Sequence, residues 1–166
     1  MAFREDFIHY QIRNHLRRAE WVLLAGQYPN GSDDEIPSLN IMDPELARDK
    51  SPDHRRHSKN KLVPDLVAQK RNNILVIEMK PRYSADDESK LFEIINTRRN
   101  DFLASLNSLL KSREIKIPYS LEELVLIPAL GFSSNNRYLR KNDICYFLVE
   151  SDIVHFLGNN QIESLD

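Results

Sequence analysis

Three ionisable residues interrupt two short apolar segments in the middle of the chain. Asp65 stands in the first segment, and Glu78 and Lys80 stand at the end of the second. Both segments are rich in Val, Ile and Leu, and the polar tetrapeptide 70–73 joins them, so they predict two neighbouring strands of a β-hairpin. Two carboxylates held close together on such strands are typical ligands of a divalent cation. The sequence therefore points first to metal chemistry on one face of a sheet.

The position of the turn decides which of these groups face each other. With residues 71–72 as the turn, Asp65 lies directly opposite Glu78, and like charges at a Cβ separation of roughly 4.5–5.5 Å repel each other. With residues 72–73 as the turn, Asp65 lies opposite Lys80 instead. Because side chains alternate along a strand, the three groups share one face in either register. The alternative is that these residues form no functional site and that Asp65 and Lys80 make an ion pair on a solvated surface, which stabilises the fold by at most about 1 kcal/mol.

The order Pro64-Asp65, twelve further residues and then Glu78-Met79-Lys80 resembles the PD-(D/E)xK motif of the restriction-endonuclease-like nuclease superfamily. The resemblance implies an α/β fold with an αβββαβ core, a mixed central sheet flanked by helices, and extra C-terminal strands here. It also implies that Asp65 and Glu78 are catalytic metal ligands and that the Met79 backbone carbonyl is a further ligand. Lys80 is then a catalytic residue close to the attacking water.

An amphipathic helix is predicted before the hairpin, over residues 5–25, ending near Gly26. Its apolar stripe consists of Ile8, Ile12, Leu16, Ala19 and Leu23. Glu20 borders the stripe and matches the carboxylate that some members of the resembled superfamily place on their first helix. It is therefore a candidate catalytic residue and metal ligand. A solvent-facing pairing of Glu20 with Arg17 or Arg13 is the alternative.

A weaker strand is predicted over 36–42, where Pro37 favours a strand start or an edge. The polar connection that follows carries six basic and two acidic residues over 48–61. We expect it to contact phosphate groups beside the site, and a solvated charge run is the alternative. The predicted nucleic-acid contacts are Arg55, Arg56, Lys59, Lys61 and Arg82.

A second helix is predicted after Lys80, because Ser84 is followed by three acidic residues that suit a helix N-terminus. The helical pattern continues to about Lys111, with a bend or break expected in the polar stretch 96–100. Three further strands are predicted from apolar runs over 124–130, 144–150 and 153–157. This order places the nuclease-like core at about 5–132, with 133–166 as a C-terminal extension packed on it.

The composition fits a single domain over residues 1–166. The chain is 41% hydrophobic, which is enough for a core. Its net charge of −2 does not by itself indicate a nucleic-acid-binding protein. Its one cysteine, Cys145, excludes an intrachain disulfide and predicts a reducing, cytoplasmic compartment. A charged N-terminus and the lack of an apolar run of about 20 residues argue against a signal peptide and a membrane span.

These patterns together predict a Mg²⁺-dependent DNA endonuclease of the restriction or recombination/repair type, with Mn²⁺ able to substitute. An RNA endonuclease on the same scaffold and a non-catalytic DNA-binding or assembly subunit are the alternatives. A chain of 166 residues leaves no room for a separate recognition domain. Since cleavage of both strands needs two sites, we expect a homodimer or a subunit of a larger nuclease complex.

Overall fold

The computed structural model describes residues 3–29, 36–41 and 62–166, which form a mixed α/β fold with a six-stranded sheet flanked by helices. The elements in chain order are α1 (Glu5–Arg18), β1 (Val22–Gly26), β2 (Leu66–Lys70), β3 (Asn73–Met79), α2 (Ala85–Phe92), a π-helical turn (Glu93–Thr97), α3 (Arg99–Ser112), a 3₁₀ turn (Leu121–Glu123), β4 (Val125–Ser133), β5 (Cys145–Glu150) and β6 (Ile153–Leu157). The strands lie side by side in sequence order. β4 pairs parallel to both β3 and β5, and the other pairs are antiparallel.

The β2–β3 hairpin has the first of the two predicted registers. Leu66 pairs with Ile77 and Lys70 pairs with Asn73, so residues 71–72 form the turn. Arg71 has a φ of 54°, the left-handed conformation that two-residue hairpin turns require. This register places Asp65 opposite Glu78 and excludes the register in which Asp65 faces Lys80.

The two faces of β3 pack against different helices. Leu75, Ile77 and Met79 belong to the apolar cluster under α1, and Ile74 and Val76 belong to the cluster under α2 and α3. All five side chains are fully buried, and burial of a side chain of this size stabilises the fold by about 1.5–3 kcal/mol. Because side chains alternate, Glu78 and Lys80 are directed toward the α2 side of the sheet.

The connection from β3 to β4 is helical, as predicted. The Ser84 hydroxyl oxygen accepts the backbone N–H of Asp87 at 3.3 Å and so caps α2. After Phe92 the chain makes the π-helical turn, and α-helix resumes at Arg99. The expected break is therefore confirmed. The helices provide the long crossover that two parallel neighbouring strands need.

Two predictions about the first elements were wrong. The first helix ends at Arg18 rather than near Gly26, and Val22–Gly26 is a strand. Leu24 and Ala25 are buried at consecutive positions because β1 is covered on both faces, and such a run is easily taken for the end of a helical stripe. The described part of the segment 36–42 is not a strand of the sheet: it makes the isolated bridge between Ile41 and Leu62, and its Pro37 carbonyl accepts the Gly26 N–H at 3.0 Å.

The C-terminal strands β5 and β6 are confirmed, and they continue the sheet beyond β4. Cys145 at the start of β5 is buried, and burial raises the pKa of its thiol to about 12. Within the described ranges, no helix combines the length and the apolar character needed to cross a bilayer.

Candidate functional site

Asp65 and Glu78 meet where the β2–β3 hairpin opens. Asp65 directly precedes β2, and its carboxylate oxygen Oδ2 accepts the backbone N–H of Met79 at 2.8 Å. The backbone carbonyl of Asp65 accepts the N–H of Gln27 at 2.9 Å, which ties the same residue to the end of β1. The structure thus brings the two predicted carboxylates together. It holds Asp65 by hydrogen bonds on both sides.

The backbone of Met79 faces this cluster. In a β-ladder the N–H and C=O of one residue point toward the same neighbouring strand. Since the Met79 N–H reaches Asp65, we expect its carbonyl oxygen to lie on the Asp65 side as well. That orientation suits the ligand role predicted for this carbonyl.

Glu78 is the buried member of the carboxylate pair, with only 2% of its surface exposed. Burial and then the nearby charge of Asp65 raise the pKa of Glu78 well above its usual value. The Lys90 ammonium nitrogen, on α2, lies 2.8 Å from Glu78 Oε1 and opposes that rise. Lys90 also donates to the Val63 carbonyl at 2.8 Å, so it is fixed beside the pair.

The N-terminal part of α1 contributes two further ligand groups. Glu5, His9 and Asp65 each place one ligand atom within 4.8 Å of the others. His9 is fully buried, and neither of its ring nitrogens makes a hydrogen bond of normal geometry within the described residues. Burial lowers the pKa of His9, which favours the neutral imidazole that binds metal ions.

Lys80 lies at the exposed side of the cluster. Its ammonium nitrogen is 3.1 Å from Asp87 Oδ1, and this hydrogen bond raises the pKa of Lys80. Asp87 sits in the first turn of α2 and is largely buried, and that burial raises its own pKa. Without further charges at the site, Lys80 is therefore held as a cation.

Glu20 is not part of this cluster, so its predicted role as a metal ligand was wrong. It follows the end of α1 with a φ of 66°, and its side chain is exposed. The neighbouring Ala19 carbonyl accepts a hydrogen bond from Lys70 at 2.8 Å, and Lys70 is at the opposite end of β2 from Asp65. The helix instead supplies Glu5, from its other end.

The predicted nucleic-acid contacts divide into two groups. Arg82 is exposed two residues after Lys80, beside the cluster. The other four predicted contacts lie outside the described residues, and they are Arg55, Arg56, Lys59 and Lys61.

Four residues at the site were not predicted from the sequence, namely Glu5, His9, Asp87 and Lys90. A local signal existed for two of them: Glu5 and His9 are four residues apart and run beside the apolar stripe through Ile8 and Ile12. Polar residues that border a buried stripe in this way are aimed at the edge of the core. Asp87 and Lys90 had no such signal, because their roles arise from the packing of α2 against β3.

Comparison with known proteins gave no match to a protein-family model, to a curated protein or to a solved structure. The chemistry of the cluster must be judged from its own groups. Carboxylate oxygens from Glu5 and Asp65 and one imidazole nitrogen from His9 form a donor set of the kind that binds a divalent cation, and Glu78 lies beside Asp65.

Proposed function

We propose that this protein is a Mg²⁺-dependent DNA endonuclease of the restriction or recombination/repair type, in which Mn²⁺ can substitute. The convergence of Asp65 and Glu78 at the end of the hairpin carries this proposal. Two adjacent carboxylates, one of them buried, are unfavourable unless a positive charge offsets their repulsion. Lys90 offsets part of it, and a divalent cation would offset more.

The residues present fit such a cation. Asp65 and Glu78 would hold it, with Glu5, His9 and the Met79 carbonyl available as further ligands. Among the described residues the buried His9 imidazole makes no hydrogen bond of normal geometry, which is costly, and binding to a cation would satisfy one of its nitrogens. Imidazole also suits transition metals better than Mg²⁺, which agrees with the expected use of Mn²⁺.

A divalent cation bound there would supply positive charge to a phosphodiester and lower the pKa of an attacking water. The chain's own groups would position the reaction. Asp65 is pre-oriented by the Met79 N–H. Lys80, kept protonated by Asp87, would donate to a phosphoryl oxygen and stabilise the negative charge that develops on it. In this account Lys80 is an electrostatic catalyst rather than the proton acceptor.

The resemblance to the PD-(D/E)xK superfamily supports the same function. The element order from α1 to β4 is helix, three strands, helical crossover and strand. The positions that match the motif, Asp65 and Glu78-Met79-Lys80, fall at the mouth of the hairpin formed by the second and third strands. A protein that had lost its catalytic activity would have no reason to keep a chemically competent residue at each of these positions. A non-catalytic DNA-binding or assembly subunit is therefore the weaker alternative.

We propose duplex DNA as the substrate, with a homodimer or a larger complex as the working form and the cytoplasm as the location. The metal chemistry is indifferent to the sugar, so an RNA endonuclease on the same scaffold is the second candidate. Matched DNA and RNA duplexes and single strands, incubated with protein and Mg²⁺, would separate these substrates.

The direct test is cleavage of supercoiled plasmid with Mg²⁺ or Mn²⁺. We expect wild-type protein and Asp152→Ala to produce nicked or linear DNA, because Asp152 is an exposed carboxylate in the β5–β6 turn. Asp65→Ala should lose cleavage while its circular dichroism spectrum stays native. Equal cleavage by Asp65→Ala and wild type would overturn the assignment. No cleavage of any nucleic acid by wild type, with an intact metal site, would favour the binding-subunit alternative.

A further inference from the structure

The connection between β4 and β5 is fixed to the segment that follows Lys80. The Asn136 side chain donates to the Pro81 carbonyl at 3.1 Å and accepts the Tyr83 backbone N–H at 3.4 Å. The Ser133 N–H donates to the same Pro81 carbonyl at 3.2 Å. The residues just after the proposed catalytic lysine and the start of this connection therefore form one hydrogen-bonded unit.

Aromatic packing holds the rest of the connection in place. The ring of Tyr138 lies with its centroid 4.9 Å from those of Phe132 and Tyr146. The Tyr146 hydroxyl oxygen accepts the backbone N–H of Lys141 at 2.9 Å. Exposed side chains between these anchors are thus presented from an ordered backbone, which reduces the entropy lost when they bind a partner.

Three exposed guanidinium groups project from this unit, on Arg82, Arg137 and Arg140, and we call them the basic rim. No salt bridge between described residues involves any of the three. Arg140 donates only weakly, to the Gly158 carbonyl at 3.4 Å. Lys141 differs from them, because it pairs with Glu88. The basic rim therefore presents positive charge that the described part of the chain does not neutralise.

The basic rim adjoins the candidate metal site through α2. Two consecutive residues in the first turn of α2 pair with different lysines. Asp87 pairs with Lys80 at the candidate site, and Glu88 pairs with Lys141 beside the basic rim. Glu88 also accepts the Tyr83 hydroxyl at 2.7 Å. These side-chain contacts connect Lys80 to Lys141, the residue that follows Arg140 of the basic rim.

We propose that the basic rim binds the phosphate backbone of duplex DNA next to the phosphodiester that the site cleaves. This inference rests on the proposed function and extends it to a substrate-binding surface. A site built from Glu5, Asp65, Glu78 and Asp87 repels a polyanion, and the chain as a whole is acidic, with a net charge of −2. A nearby group of arginines that form no salt bridge with the described residues offsets that repulsion and can bind phosphates bidentately.

The test measures binding of fluorescein-labelled duplex DNA by anisotropy, in the Asp65→Ala background so that the DNA stays intact. We expect Arg137→Ala with Arg140→Ala to weaken binding about tenfold near 0.15 M salt and to lower the slope of log K against log salt by about two. The matched control is Lys111→Ala with Lys116→Ala. Both lysines are exposed; Lys111 lies in the last turn of α3 and Lys116 follows the helix. Charge reversal with Glu at 137 and 140 should weaken binding further.

Equal affinity and salt slope for the rim variant and the lysine control would overturn the proposal. So would a wild-type chain that binds no duplex DNA, or a rim effect seen with RNA alone. Calorimetry of Mn²⁺ binding keeps this result separate from the proposed function. The rim variant in the wild-type background should bind Mn²⁺ normally. If DNA binding depends on the basic rim but Mn²⁺ binding does not depend on Asp65, the DNA-binding role of the basic rim is supported and the proposed metal-dependent activity is contradicted.

Discussion

Glu78 is the residue whose surroundings differ most from those of an ordinary surface carboxylate. It is buried, it lies beside Asp65, and it forms an ion pair with Lys90. The sequence indicated its type and its face of the sheet. It did not indicate the depth of its burial, which depends on α2 closing over the hairpin.

The raised pKa of Glu78 predicts that the metal-free fold loses stability as the pH rises. A group whose pKa is higher in the folded state stabilises the fold below its unfolded pKa, near 4.5, and that stability is lost as pH rises through the folded pKa. We therefore expect Glu78→Gln to be more stable than wild type at neutral pH and to lose this advantage toward pH 4. Urea unfolding across this pH range, without metal, measures it. Lower stability of Glu78→Gln at neutral pH would contradict the prediction.

The hydrogen bond from Lys80 to Asp87 predicts that charge, rather than proton transfer, is what Lys80 supplies. We expect Lys80→Ala to reduce cleavage at least about 100-fold, as removal of one transition-state donor typically does. Lys80→Arg, which keeps a cation that cannot act as a base, should retain measurable cleavage. Single-turnover rates with Mg²⁺ compare the two variants. An arginine variant as inactive as the alanine variant, with DNA binding intact, would count against the electrostatic role.

At the scale of elements, the predictable parts were those with short-range signals. The hairpin follows from its two apolar runs and the polar turn between them, the start of α2 from Ser84, and β4 from an unbroken apolar run, whereas the choice between the two hairpin registers needed the structure. These features placed Asp65, Glu78 and Lys80 on one face from sequence alone. The boundary between α1 and β1 could not be predicted in this way, because Leu16, Ala19 and Leu23 happen to continue a helical spacing through a buried strand.

The error about α1 led directly to the error about Glu20. A helix continued to residue 25 gives Glu20 a place beside the sheet, whereas the real helix ends before it. The site instead uses Glu5 and His9, whose approach to Asp65 results from packing between segments about sixty residues apart in the chain. The spacing of residues within one segment of the sequence does not indicate which distant segment they will contact.

Close packing of α1 on the sheet gives a prediction at this scale. A Cβ at Gly131 of β4 would overlap Cδ1 of Ile12 and lie 3.2 Å from Cγ of Met79. We expect Gly131→Ala to displace α1, to destabilise the fold by about 1–3 kcal/mol and to weaken Mn²⁺ binding, because His9 lies one turn before Ile12.

The matched control for that variant is Ile12→Val, which removes the clashing methyl group. The double variant should be less destabilised than the sum of the single changes and should recover Mn²⁺ affinity. Strict additivity of the two effects on unfolding free energy, measured in urea, would mean that Gly131 does not set the position of α1.

At the scale of the whole molecule, one candidate site per described chain limits what a single copy can do. One site cuts one strand, so a double-strand break requires two copies or a second subunit. We expect nicked plasmid to accumulate first at low protein concentration, with the share of linear product rising as the concentration rises. Gel analysis beside sedimentation measurements would test this. Linear product without a nicked intermediate from a monomeric chain would contradict it.

The most direct test of the whole account is a crystal of the protein soaked in Mn²⁺ and measured at the manganese absorption edge. We predict an anomalous peak between Asp65 and Glu78, at about 2.2 Å from an oxygen of each, slightly beyond the distance typical of Mg²⁺. Glu78 should then have moved its Oε1 away from Lys90. Absence of a peak, with the Lys90–Glu78 ion pair intact at saturating Mn²⁺, would contradict a metal centre at this site.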